Sequence, residues 1–141
     1  MTLKNTDNEY RIKVSNRQTI DSETDTIEET AYGNYTEKNG KQYITYKTEN
    51  NGDKISSMIK IDGNEILIKR TGSVNSSMTY KVDTKKEFLY HLPYGTVPME
   101  IETQRIVSKL DENGGTIELV YTLTVQGEKY FHDMKITVSK R

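Results

Sequence analysis

The 141-residue chain has no cysteine and no tryptophan, and it has only two prolines, two histidines and two phenylalanines. Without cysteine there is no disulfide framework, no thiolate metal site and no cysteine nucleophile, and a reducing cytoplasmic home is the simplest expectation. With two histidines, His91 and His132, neither at ligand spacing from another ligand, no metal site and no cofactor are expected. Charge of one sign is also lacking: 20 Lys and Arg against 21 Asp and Glu give a net charge of -1. A nucleic-acid or anionic-membrane binder needs a basic excess, so neither class is expected. No stretch is apolar enough for a signal peptide or a membrane span. Nucleophile elbows, phosphate-cradling glycine loops and paired-histidine motifs are all missing, which leaves little support for catalysis.

Core-forming residues are sparse, since Leu, Ile, Val and Phe together number 30 of 141. That lies just above the composition at which disorder takes over, but disorder also wants a large net charge. One globular domain over residues 9–141, preceded by a frayed polar segment over 1–8, fits the length.

What is present is alternation. Tyr10, Ile12 and Val14 share one parity; so do Ile55, Ser57, Ile59 and Ile61; so do Ile117, Leu119, Tyr121, Leu123 and Val125, opposite Glu118, Thr122 and Thr124. Period two over such lengths predicts strands with one buried and one wet face. The ten tyrosines and the frequent threonines suit pleated surfaces. The segment Asp21–Glu28 is the one weak helix candidate. Turn signals recur at hairpin spacing: Asn39-Gly40, Asn51-Gly52, Asp62-Gly63, Thr71-Gly72, Asn113-Gly114-Gly115 and Gln126-Gly127. A meander of roughly eight to ten strands follows, and one so long must close or leave a sticky edge. The expected fold is all-β, a single closed antiparallel up-and-down barrel. Pro93-Tyr94-Gly95 reads as a type II turn with positive φ at Gly95 and Tyr94 displayed at its tip, either capping the barrel mouth or exposed.

Parity also picks out cations. Arg70 shares the face of Ile66 and Ile68, and Arg105 shares that of Met99, Ile101, Thr103 and Val107. His132 shares the face of Tyr130, Met134, Ile136 and Val138. A cation pointing into a barrel needs an acid, carbonyls, water or an anionic ligand. Two readings stand side by side: the arginines fix the acidic head of a small ligand, or they sit at rims or pair with an acid such as Glu29. The candidate pocket takes Arg70, Met78, Tyr80, Ile101, Arg105, Leu119 and Tyr121, with Tyr94 at the mouth.

Three blocks carry a family resemblance. They are Ile68-Lys69-Arg70-Thr71-Gly72 with Met78, then Tyr90-His91-Leu92-Pro93-Tyr94-Gly95 leading to Ile101-Glu102-Thr103, and then Gly115-Thr116-Ile117-Glu118-Leu119-Val120-Tyr121. In order and spacing, over nearly the whole chain, they resemble the YwiB-like family of small bacterial proteins of unknown function. The resemblance implies a lipocalin-like (calycin) barrel and a bacterial cytoplasmic protein, and it brings no catalytic residues. The expected function is non-enzymatic binding of a small anionic or amphipathic molecule inside the barrel, by a monomer or homodimer. The alternatives are a protein-interaction module with a filled barrel and, third, a hydrolase or isomerase.

Overall fold

A computed structural model describes residues 9–141. The expected frayed segment, residues 1–8, lies outside the described residues. Ten strands follow in chain order: β1 (Tyr10–Ile20), β2 (Glu23–Lys38), β3 (Lys41–Asn50), β4 (Asp53–Asp62), β5 (Glu65–Gly72), β6 (Ser76–Lys81), β7 (Lys85–Leu92), β8 (Gly95–Asp111), β9 (Gly114–Val125) and β10 (Glu128–Lys140). They form one antiparallel sheet in the order β6-β5-β4-β3-β2-β1-β10-β9-β8-β7. Every strand except β6 pairs with the next in sequence, and β1 pairs with β10, so the sheet curls into a barrel with β6 and β7 as its two edges. Closure is nearly complete: the seam between β6 and the β7–β8 pair is spanned by isolated bridges, Asn75 to His91 and Val82 to Thr103.

The hairpins form where the turn chemistry asks for them. Asn39-Gly40, Asn51-Gly52 and Gln126-Gly127 all have positive φ at both central residues, as primed two-residue turns require. Five expectations need correction. Thr71-Gly72 is no turn but the end of β5, and Gly114-Gly115 open β9 after a turn at Glu112 and Asn113. The two residues between β4 and β5 are Gly63 and Asn64, with positive φ only at Gly63. Asp21–Glu28 is not helical: Asp21 and Ser22 make the β1–β2 turn, and Glu23–Glu28 pair with β1 in the ladder. The turn between β7 and β8 has Pro93 and Tyr94 as its central residues; Gly95 has a φ of 148°, but Tyr94 does not have positive φ, so the turn is not type II.

The interior follows the alternation. Ile12, Ile44, Ile59, Ile66, Ile101, Ile117, Leu119 and Ile136 are buried on the inner face. In β9, Ile117, Leu119 and Tyr121 are buried while Leu123 and Val125 are only partly so, and Glu118 points outward. Thr122 departs from its expected exposure. It is on the outer face yet buried, and its hydroxyl donates to the Gln104 side-chain oxygen at 3.5 Å. Gln104 is the extra residue of a bulge in β8 that interrupts the β8–β9 register between Thr103 and Arg105.

Candidate functional site

The inner face changes character along the barrel axis. In strand after strand the inward residues run from apolar to polar: Ile12 and Val14 then Asn16 in β1; Ile61 and Ile59 then Ser57 in β4; Ile66 and Ile68 then Arg70 in β5; Leu119 then Tyr121 in β9; Ile136 and Met134 then His132 in β10. Since neighbours run antiparallel and are paired in register, these polar residues collect at one end. The apolar end is tied shut, with the Tyr10 hydroxyl donating to the Glu112 carbonyl at 2.7 Å and Gln42 Nε2 donating to the Leu110 carbonyl at 2.7 Å.

At the polar end Arg70 is half-buried, flanked across the ladder by the buried Ser57 and Ser76. No carboxylate among the described residues lies within 4 Å of its guanidinium. Its surroundings are hydroxyls. Burial pushes the Tyr46 hydroxyl above its ordinary pKa, and Glu29 adds to the rise, while Arg70 and Ser57 oppose it. Burial holds Tyr80 well above the ordinary value and raises Tyr121, with Arg70 again pulling in the opposite direction at both. The Tyr80 and Tyr121 rings meet edge-on at 4.8 Å, and the Tyr80 hydroxyl donates to the Met78 sulfur at 3.3 Å. Tyr121 in turn stacks on His132, centroids 4.7 Å apart and planes 6° from parallel.

His132 is buried, and desolvation lowers its pKa to about 4, so the ring is neutral at pH 7. Its Nδ1 lies 3.1 Å from Asn16 Oδ1, while Nε2 has no hydrogen-bond partner among the described residues. The Thr103 hydroxyl is likewise buried without a partner. Both sit at this end of the barrel, where polar groups outnumber the contacts that satisfy them.

The residues singled out in the sequence divide accordingly. Arg70, Met78, Tyr80 and Tyr121 come together at the polar end, and Leu119 and Ile101 are fully buried on the inner face. Arg105 does not join them. The bulge at Gln104 reverses the parity of β8, so Arg105 stands opposite Val120 on the outer face and pairs with Glu118 at 3.4 Å. Ile106 takes the inward place opposite Leu119, and Val107, expected inside, stands opposite Glu118. Tyr94 is 86 % exposed at its turn tip and caps nothing. Asn16 and Tyr46 went unnoticed in the sequence, although Asn16 continues the parity of Ile12 and Val14, and Tyr46 that of Ile44.

The polar end is also where the barrel wall parts. From the pair Gly33–Tyr46 toward this end β2 and β3 cease to pair, β2 staying with β1 and β3 with β4. At the fork Gly33 leaves no room for a side chain, because a Cβ would run into the Thr45 carbonyl oxygen and lie 2.8 Å from Tyr46 Cβ. The opening is a cleft of about 1260 Å³, and its lining includes Tyr46 and Ser57, the neighbours of Arg70, together with Glu29.

A ten-stranded, nearly closed antiparallel barrel, apolar at one end and polar and open at the other, is thus the class of structure at hand. The chain belongs to the family described as a domain of unknown function (DUF1934), whose model matches residues 12–138. It is similar to the uncharacterized beta-barrel protein YwiB of Bacillus subtilis (strain 168), 29 % identical over 118 residues and covering 83 % of each chain. The crystal structure of the ywiB protein from Bacillus subtilis superposes with a TM-score of 0.87 at 26 % identity, covering 94 % of this chain and 91 % of that one. No helix among the described residues is long and apolar enough to cross a membrane.

Proposed function

We propose that the protein is a non-enzymatic, lipocalin-like binder of a small anionic or amphipathic molecule, held at the polar end of the barrel with Arg70 as the anchor of its acidic group. The observation that supports this most is Arg70 itself, an inward guanidinium with no carboxylate within 4 Å among the described residues. A guanidinium donates in a planar fork that suits a carboxylate or phosphate, and hydroxyls such as that of Tyr46 supply further polar contacts. The cleft between β2 and β3 includes Tyr46 and Ser57 in its lining, beside that guanidinium. Met78, Tyr80 and Tyr121 offer apolar and aromatic surface for the rest of the molecule. The cysteine-free composition supports a reducing compartment such as the cytoplasm for this binder.

The test has two arms. Native mass spectrometry of protein purified from its own host looks for a co-purifying acid. Calorimetric titration with octanoate and with octyl phosphate then separates a carboxylate from a phosphate preference. Arg70→Met is expected to weaken whichever binds by roughly tenfold to a hundredfold, the loss of one or two charge-assisted hydrogen bonds. No co-purifying molecule together with no saturable binding of either probe, or equal affinity in Arg70→Met, overturns the reading.

A further inference from the structure

The parting of β2 from β3 leaves main-chain groups as well as a cleft. Residues Glu23–Tyr32 of β2 pair with β1 along one edge, while along the other no strand among the described residues pairs with them. Across the cleft, Lys47–Asn50 of β3 pair only with β4. An edge of ten residues, about 33 Å long, is far longer than sheets usually leave open, since every second residue presents an unused N–H and C=O.

The side chains of this edge say what it would accept. Glu23, Asp25, Glu28 and Glu29 lie within these ten residues, with no Lys or Arg among them. Pairing with the same edge of a second copy would set like charges beside one another, which is destabilising. Ile27, 68 % exposed between these acids, adds an apolar position that no neighbour among the described residues covers. The opposite wall is mixed in charge, carrying Lys47 and Lys69 with Glu49 and Asp53, so the uncompensated negative charge of the cleft lies along β2. At about 1260 Å³ the cleft exceeds the usual 300–1,000 Å³ of a small-molecule pocket.

From this arrangement we infer that β2 is a docking edge for an extended, basic segment of a partner polypeptide, which adds as a strand along Glu23–Tyr32. Backbone pairing supplies affinity, and alternating Lys or Arg opposite the acids supplies selectivity. This goes beyond the ligand reading and stands on a different observation, so either can fail without the other.

The probe is a fluorescein-labelled ten-residue peptide alternating lysine and valine, titrated with the full chain and followed by anisotropy. It is expected to bind saturably. The same peptide methylated on its backbone nitrogens keeps its charge but loses its strand donors, and is expected to bind at least roughly tenfold more weakly, as is the unmethylated peptide with Asp25→Lys/Glu28→Lys protein. Arg70→Met protein is expected to bind it as the wild type does. Hydrogen exchange is expected to slow within Glu23–Tyr32 on adding the peptide. Three results would each overturn the inference: no saturable binding, equal binding of the methylated peptide, or protection confined to other strands. The methylated control uses the unaltered protein, so it does not depend on the charge-reversed variant folding.

Discussion

The two ends of the barrel interior are built by the same strands and do different work. At one end Ile12, Ile44, Ile59, Ile66, Ile117 and Ile136 are almost wholly excluded from water, and two side-chain hydrogen bonds to the chain near the β8–β9 turn hold that end shut. At the other end the same strands turn inward Asn16, Tyr46, Ser57, Arg70, Tyr121 and His132, two buried polar atoms lack partners among the described residues, and the wall opens between β2 and β3. Stability should therefore reside in the first end, while the second tolerates chemistry that folding alone would not select. A half-buried cation with no carboxylate within 4 Å among the described residues and a desolvated histidine add less to a core than the isoleucines that could fill it.

The largest effect is expected from cutting into the closed end. Ile59 is 1 % exposed and faces Ile44 and Ile68 across its ladders. Ile59→Ala removes three buried carbons and leaves a cavity in a rigid wall, so it should cost about 3–4 kcal/mol. Urea unfolding followed by circular dichroism measures this directly. A loss below about 1 kcal/mol would mean that the apolar end is not the stabilising half.

A smaller effect, and one that depends on pH, is expected at the open end from His132. Its folded pKa lies near 4 against 6.5 for the free side chain, so between these values the unfolded chain binds the extra proton. Stability then rises with pH across that window: the neutral ring's contribution is fully present above about pH 6.5 and is lost as pH falls toward 4. The stacked Tyr121 and the hydrogen-bonded Asn16 provide no carboxylate to rescue the imidazolium. Comparing wild type with His132→Phe isolates this from ordinary acid denaturation. The wild type should lose on the order of 2 kcal/mol more than the variant between pH 7 and pH 4.5. Parallel pH curves for the two proteins would show that the ring is solvated at this end.

Much of this contrast was legible in the sequence, and the place where it was not is instructive. Period-two alternation and Asn-Gly turns were enough for the meander, its inner face and the inward placement of Arg70, Tyr80, Tyr121 and His132, because pleating and hairpin geometry are local. Arg105 failed because a single inserted residue, Gln104, reverses parity for the rest of β8, and nothing in the local pattern marks where a bulge will fall. The fork at Gly33 was equally hidden. It depends on how far two strands keep pairing, which is a property of the whole sheet's curvature and not of the residues that line the gap.

The smallest effect on stability is expected at Arg70, and that smallness is what sharpens the comparison. Were Arg70 a structural partner of a buried acid, replacing it would orphan a carboxylate and cost several kcal/mol. No acid among the described residues lies within 4 Å of it, and the nearby Glu29 is itself only partly buried, so no orphan is created. Methionine keeps the unbranched stem and removes a desolvated charge from the side of Tyr46, so Arg70→Met should leave the free energy of unfolding within about 1 kcal/mol of wild type, or raise it. The same urea curves used for Ile59→Ala decide the matter. A loss of about 3 kcal/mol or more would make Arg70 part of the scaffold, and the polar end would then be a second structural core. A change near zero, together with lost affinity for an acidic ligand, keeps the two ends distinct.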